Sequence, residues 1–114
     1  MPAARDDYLM RMITQAAAAM RRLREKLIGG GAADEVLRES GDAIGELLGP
    51  QRPLLERLDV ASAAQIVGNP DTVRAWSSLL LLQADAEDAL GHAAAAQRLR
   101  QRARALTPDP TPAS

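Results

Sequence analysis

The sequence predicts an all-α fold, and three features of its residues point the same way. The 114-residue chain contains 23 alanines and 16 leucines, two of the strongest helix-forming residues. It contains no phenylalanine, one tyrosine and one tryptophan, so the aromatic residues that favour strands are scarce. Apolar residues recur at helical spacings of three and four along most of the chain. A chain of this length buries one modest core, so we expect a single helical domain over residues 1–106.

Charge and residue usage exclude several classes of protein. The formal net charge of −1 gives no overall attraction to nucleic acid or to an acidic membrane. The absence of cysteine excludes disulfides, thiolate zinc sites and cysteine nucleophiles. No apolar run approaches the roughly 18 residues of a membrane span. Asp6 and Asp7 precede the first apolar stretch, unlike a secretory signal, so we expect a cytoplasmic protein.

The first helix is predicted over residues 6–28. Asp6 and Asp7 suit a helix amino terminus, and the glycines at 29–31 suit its end. An apolar seam with alternating spacings of four and three is sustained for almost three heptads. The seam is formed by Leu9, Ile13, Ala16, Met20, Leu23 and Leu27. Such a seam serves either as packing inside the domain or as an interface with a partner.

The second helix is predicted over residues 33–48 and ends at Gly49 and Pro50. It contains Gly41 and Gly45, which are unfavourable inside a helix by about 1 kcal/mol each relative to alanine. Their spacing of four places both on one face, where another backbone would be able to approach closely.

The rest of the chain has shorter helices followed by two longer ones. Asn69, Pro70 and Asp71 form a strong helix start, with the asparagine as N-cap. Four consecutive leucines at 79–82 predict a helix that is buried on more than one side. Residues 107–114 are rich in proline, contain no large apolar residue and are predicted to be a disordered tail. The remaining helices are predicted over residues 53–58, 62–67, 70–90 and 92–106.

Residues 80–108 resemble a tetratricopeptide repeat. Small residues and a proline stand at the offsets typical of that family: Ala84, Gly91, Ala96, Ala103 and Pro108. The large residues of the family are replaced at three positions, by Leu80, Glu87 and Arg100. The resemblance implies two tightly packed antiparallel helices. The same spacings recur sixty residues earlier at Gly31, Val36 and Ala43, so we expect two helical hairpins separated by short helices.

The opening of the chain resembles a family of short uncharacterised bacterial helical proteins. The resemblance lies in Arg-Asp-Asp-Tyr-Leu at residues 5–9, the Arg-x-Ile that follows, and Gln15. Gly49 followed by a leucine cluster fits the same family, whereas Thr14 departs from its pattern. The resemblance implies an all-helical fold and no particular activity.

Enzymatic and metal-binding roles have little support in the sequence. His92 is the only histidine, and it follows Asp85 and Asp88 at spacings that suit one helical face. However, Gly91 interrupts that face, and no second Glu-x-x-His segment completes a metal site. The glycine run at 29–31 follows a helix and lacks the lysine of a phosphate loop. We therefore predict no enzyme activity, no cofactor and no metal.

The sequence predicts a non-catalytic protein-interaction or adaptor module. We expect it to form a homo-oligomer, with a dimer favoured, and to bind neither a membrane nor, as its main role, nucleic acid. The candidate partner interface combines the two aromatic residues with adaptable methionines of the first helix. It consists of Tyr8, Met12, Met20 and Trp76.

The alternative function is binding of a polyanion such as nucleic acid. Its candidate contacts are the four arginines of the last helix: Arg98, Arg100, Arg102 and Arg104. Alternate positions spread around a helix, so these arginines do not form one stripe. The chain also carries an acidic segment at 34–59, and ion pairs within the molecule or between copies would neutralise basic residues.

Overall fold

The computed structural model describes the backbone of residues 2–107 and the side chains of residues 7–107. All regular structure in this part of the chain is helical, which confirms the all-α prediction. Of the predicted tail, only Thr107 lies within the described residues. A 3-10 turn (Gly49–Gln51) separates the second helix from the third. The α-helices are α1 (Pro2–Ile28), α2 (Ala33–Leu48), α3 (Arg52–Arg57), α4 (Val60–Val67), α5 (Pro70–Ala89) and α6 (Ala93–Leu106).

Side-chain caps begin two of the helices. The Asn69 side chain accepts hydrogen bonds from the backbone N–H groups of Asp71 (2.9 Å) and Thr72 (3.1 Å), as predicted for the start of α5. Asp59 caps α4 by accepting from the N–H of Ser62 at 3.1 Å. Helix α4 therefore begins two residues before the predicted start at residue 62, because Asp59 is its cap.

Two glycines turn the chain between long helices in the same way. Gly30 has φ 81° and Gly91 has φ 83°, a left-handed conformation in which a Cβ is unfavourable. After each glycine, the next N–H bonds back to a carbonyl of the preceding helix. Gly31 N–H donates to Lys26 O at 2.9 Å, and His92 N–H donates to Glu87 O at 2.8 Å. The predicted glycine end of α1 is confirmed.

The helices form two antiparallel hairpins, α1–α2 and α5–α6, with α3 and α4 between them in the chain. Helix α5 lies at the centre and packs on α1, α2 and α6. Ten of its twenty residues are buried, including Trp76, Leu79 and Leu82. Because α5 has neighbours on several sides, Leu79, Leu80 and Leu82 are all buried and only Leu81 is partly exposed, as the four-leucine run predicted.

The prediction for Gly41 and Gly45 was wrong in what it placed against them. The groups that lie over these glycines are side chains and not another backbone: Arg52 lies over both, and Gln83 is nearest to Gly41. Arg52 Nη1 donates to the carbonyl of Gly41 at 2.7 Å, and a Cβ on Gly45 would lie 3.0 Å from the same nitrogen. The two glycines therefore make room for an arginine that ties the start of α3 to α2.

Candidate partner interface

The heptad seam of α1 faces the inside of the protein. Ala16 and Leu23 are buried, and Met20 and Leu27 are half-buried against the same core. Helix α1 packs on α2 and on α5. Most of the seam is therefore core rather than interface.

Helix α1 is much longer than the helix that pairs with it. Its 27 residues span roughly 40 Å, whereas the 16 residues of α2 span roughly 24 Å. Because the two helices are antiparallel and joined by a short turn, α2 runs alongside about the last 16 residues of α1. Residues 2–12 of α1 extend beyond the end of α2, and we call this segment the overhang.

The overhang exposes large apolar side chains. Tyr8 is 53% exposed and Met10 is 65% exposed, while Met12 is half-buried. Tyr8 and Met12 are four residues apart and share one flank of the helix. Tyr8 also lies five whole turns before Lys26, which binds carboxylates of α2. The Tyr8–Met12 flank is thus the same side of α1 that α2 covers further along.

A cleft of about 650 Å³ borders this flank. Its walls come from the overhang, the carboxyl ends of α2 and α4, the 3-10 turn, α3 and the start of α5. Six aliphatic side chains line it: Leu9, Leu47, Leu48, Leu55, Ile66 and Val67. The cleft was not predicted from the sequence, because its lining comes from six separate elements that meet only in the fold.

Four polar side chains line the cleft: Glu46, Gln51, Asn69 and Thr72. Glu46 lies on its rim and is exposed. The Asn69 side chain is already used as the cap of α5. Thr72 is buried, and its hydroxyl has no hydrogen-bond partner among the described residues. The apolar side chains of the cleft continue into exposed Tyr8 on the overhang, and a contiguous exposed apolar surface is typical of a protein-interaction site.

Two of the predicted interface residues lie in the core instead. Trp76 is 1% exposed and stacks beneath the guanidinium of Arg102, which lies 5.4 Å from the ring centroid. Met20 packs between the two groups of buried core residues. The structure therefore brings Tyr8 and Met12 together at the surface and places Met20 and Trp76 away from them.

Two of the four arginines of α6 are engaged within the protein. Arg100 binds Asp85 at 3.0 Å and Asp88 at 2.5 Å, and these carboxylates, chiefly Asp88, raise the pKa of its guanidinium. Arg102 donates to the carbonyl of Leu55 at 3.0 Å besides covering Trp76.

Arg98 and Arg104 are exposed and form no ion pair with the described residues. They lie six residues apart and therefore roughly 120° from each other around α6. The four arginines consequently do not form a continuous basic surface, which weakens the polyanion alternative.

Ion pairs join α1 to α2, as the charge pattern anticipated. Arg22 binds Glu39 at 2.9 Å, and Lys26 binds Glu35 at 2.5 Å and Glu39 at 3.4 Å. The hydrogen bond from Arg22 is the main cause that lowers the pKa of Glu39 below its ordinary value. The hydrogen bond to Glu35 likewise raises the pKa of Lys26.

The acidic residues around His92 do not converge on one point. Asp85 and Asp88 both face Arg100, whereas the ring of His92 contacts Glu87 at 2.7 Å between Nδ1 and Oε1. Among residues 7–107, no three acidic or histidine side chains are arranged to hold a metal ion.

Thr107 is held in place at the end of α6. The hydroxyl of buried Ser77 donates to the carbonyl of Ala103 at 2.9 Å and lies 3.0 Å from the Thr107 hydroxyl. Thr107 was assigned to the disordered tail, and the structure instead anchors it to α5. Pro108 and the residues after it lie outside the described part of the chain.

Comparisons with known proteins give no family for this chain: no family model, curated protein or solved structure matches it significantly. Within residues 2–107, no helix has a segment both long and apolar enough to cross a membrane.

Proposed function

We propose that this protein is a non-catalytic protein-interaction module that associates with itself through the overhang of α1 and the cleft beside it. The observation that carries the proposal is the exposed side chain of Tyr8, which lines the cleft and lies one turn from half-buried Met12 on the same flank. Burial of these side chains in a complex removes apolar surface from water, which is the main driving force of most protein association.

The residue types of this region suit a contact surface. Tyrosine is enriched among the residues that contribute most to binding energy, because its large ring is apolar and its hydroxyl forms hydrogen bonds. Methionine adapts its shape to a partner through its flexible thioether chain. Met10 lies on the opposite flank from Tyr8 and widens the apolar surface that the overhang exposes.

We also propose that the two hairpins pack in the manner of tetratricopeptide repeats. In support, α5 packs on both helices of the first hairpin as well as on α6. The small residues Ala84, Ala96 and Ala103 are completely or almost completely buried, which lets α5 and α6 approach closely. Repeats of this kind commonly serve as protein-binding scaffolds, in keeping with an adaptor role.

The test is the oligomeric state of the full chain by size-exclusion chromatography with light scattering. We expect a dimer at both low and high salt, because the contact is mainly apolar. Tyr8→Glu places a charge on the contact surface and is expected to shift the protein to a monomer.

Ile28→Glu is the matched control. Ile28 is 79% exposed and lies at the other end of the same helix, so the control adds the same charge outside the proposed interface. Both variants should keep the helical circular dichroism of the parent. A monomeric parent chain, or equal loss of association in the two variants, would contradict the proposed function.

A further inference from the structure

We infer that the partner is a second copy of this chain and that the overhangs of the two copies cross antiparallel, each lying along the cleft of the other. This inference rests on the proposed self-association and specifies how it is built. The occupant of the cleft is then helical, apolar on one flank and supplied by the protein itself.

The path of α2 defines where a helix fits. Helix α2 covers one flank of α1 up to Leu48, and beyond that point the same flank carries Met12 and Tyr8, of which Tyr8 lines the cleft. A helix that continues along this path contacts the overhang on one side and Ile66 on the other. Like α2, it runs antiparallel to α1.

A second overhang fits this path because of symmetry. In a two-fold dimer, two identical helices that pair side by side across the axis can run antiparallel and present the same flank to each other. The structure describes residues 2–12 of the part of α1 that extends beyond α2, and an axis near the midpoint of this segment pairs its full length. Tyr8 is the described apolar residue of the flank closest to that midpoint. Each Tyr8 therefore packs against the other overhang close to the axis, with Met12 further out.

The charges at the two ends of the path favour the same arrangement. The carboxyl end of α2 carries the negative pole of its helix dipole, and Glu46 adds a negative charge in its last turn. An antiparallel overhang places the amino end of a second α1, the positive pole, next to this end of α2. A parallel overhang would instead direct its carboxyl-terminal side towards the carboxyl end of α2.

Distances between spin labels test this arrangement, and the absence of cysteine makes labelling at one position straightforward. Thr14→Cys and Arg21→Cys place labels seven residues apart on exposed positions of α1, about 120–140° around the helix from Tyr8 and therefore outside the contact. Seven residues rise about 10.5 Å, so in an antiparallel dimer the label separation grows by about 21 Å from position 14 to position 21. In a parallel pairing it would stay the same. Pulsed electron paramagnetic resonance measures both distances in dimers verified by light scattering.

A charge variant tests the contact with α2 independently. We expect Glu46→Lys to weaken dimerisation by about 3- to 10-fold, because it places a positive charge beside the amino end of the second overhang. Asp42→Lys is the matched control, since Asp42 is exposed on the same face of α2 but one turn further from the cleft. Its effect on dimerisation should be small.

The outcomes separate the inference from the proposed function. A dimer whose label separation grows by about 21 Å, weakened selectively by Glu46→Lys, supports both. A dimer with equal separations, or one with equal effects of the two lysine variants, overturns the crossed arrangement and leaves self-association standing. A monomeric parent chain overturns both the crossed arrangement and self-association. This holds even if the cleft then proves to bind a different protein.

Discussion

The two hairpins share a turn and differ in how completely their first helices are covered. Both turn through a left-handed glycine, Gly30 in one and Gly91 in the other. In α5–α6 the first helix is packed on several sides and half of its residues are buried. In α1–α2 only Ala16 and Leu23 of α1 are buried among its described side chains. The first helix of the second hairpin, α5, is therefore the centre of the core. The first helix of the first hairpin, α1, lies at the surface and has an uncovered end.

The ion pairs that join the two helices of each hairpin are arranged in opposite order along the chain. In the first hairpin the basic residues are on the first helix, where Arg22 and Lys26 bind carboxylates of α2. In the second the acidic residues come first, and Asp85 and Asp88 of α5 bind Arg100 of α6. Complementary charges therefore pair across each hairpin, but their order along the chain differs between the two.

The largest expected difference lies in apolar truncation. Leu79→Ala removes a completely buried side chain at the centre of the core and should destabilise the protein by about 2–5 kcal/mol. Leu9→Ala, at a half-buried position of the overhang, should lower stability by only about 1 kcal/mol. Urea unfolding followed by circular dichroism measures both, in the Tyr8→Glu background so that self-association does not contribute.

Similar losses in the two leucine variants would break the comparison. They would mean that the overhang is packed as firmly as α5, and the flank of Tyr8 would then be part of the core. A truncation at Leu9 that leaves stability almost unchanged would sharpen the contrast between the two hairpins.

The next largest effect, the destabilisation caused by alanine at the turn glycines, should be equal in the two hairpins. Gly30→Ala and Gly91→Ala each force a side chain into the left-handed region and should destabilise by about 1–2 kcal/mol. A Cβ at either position has no atom within 4 Å, so the loss is purely conformational and should be equal. Thermal unfolding compares the two variants directly.

Gly41→Ala provides a control with the opposite sign. Gly41 lies inside α2, where a Cβ would make only ordinary contacts. The nearest atom would be the side-chain nitrogen Nε2 of Gln83, at 3.6 Å. Alanine should therefore stabilise the helix by up to about 1 kcal/mol.

The contradicting outcome for the two turns is a difference between them. If Gly30→Ala and Gly91→Ala lowered the stability by unequal amounts, the two turns would not be equivalent.

The smallest effect concerns the ion pairs of the first hairpin. Hydrogen bonding to Arg22 lowers the pKa of Glu39, so the folded state favours its charged form. The stabilisation is fully present above the ordinary glutamate pKa, about 4.3, and is lost as pH falls through the lower value of the folded state. Glu39→Gln should therefore lower stability slightly at neutral pH and not at strongly acidic pH. Urea unfolding of Glu39→Gln and of the parent protein across this pH range tests whether their stabilities converge as the pH falls. A difference in stability that stays constant with pH would contradict the prediction.

Several elements were predictable because their signals are local. The bounds of α2, the Asn69 cap of α5 and the glycine end of α1 all follow from residues within one turn of the feature. The 3-10 turn at Gly49–Gln51 was not predicted, because its residues also read as an ordinary helix stop.

The candidate site was only partly predictable. Tyr8 and Met12 were identified because aromatic and methionine residues on a helix flank stand out in the sequence. Trp76 was chosen for the same reason, yet three neighbouring helices cover α5 and leave this side chain in the core. The pattern of a helix shows which face is apolar, but it does not show how many neighbours will cover that face.

The sequence by itself determined the helical class, the positions of the long helices and the turns between them, since these depend on propensity, caps and glycine conformations along a short stretch of chain. Only the tertiary structure decided which apolar faces are covered, which arginines bind inside the protein, and where six elements leave a cleft between them. Those properties depend on the relative lengths and packing of helices far apart in the chain, as the uncovered end of α1 beyond Leu48 shows.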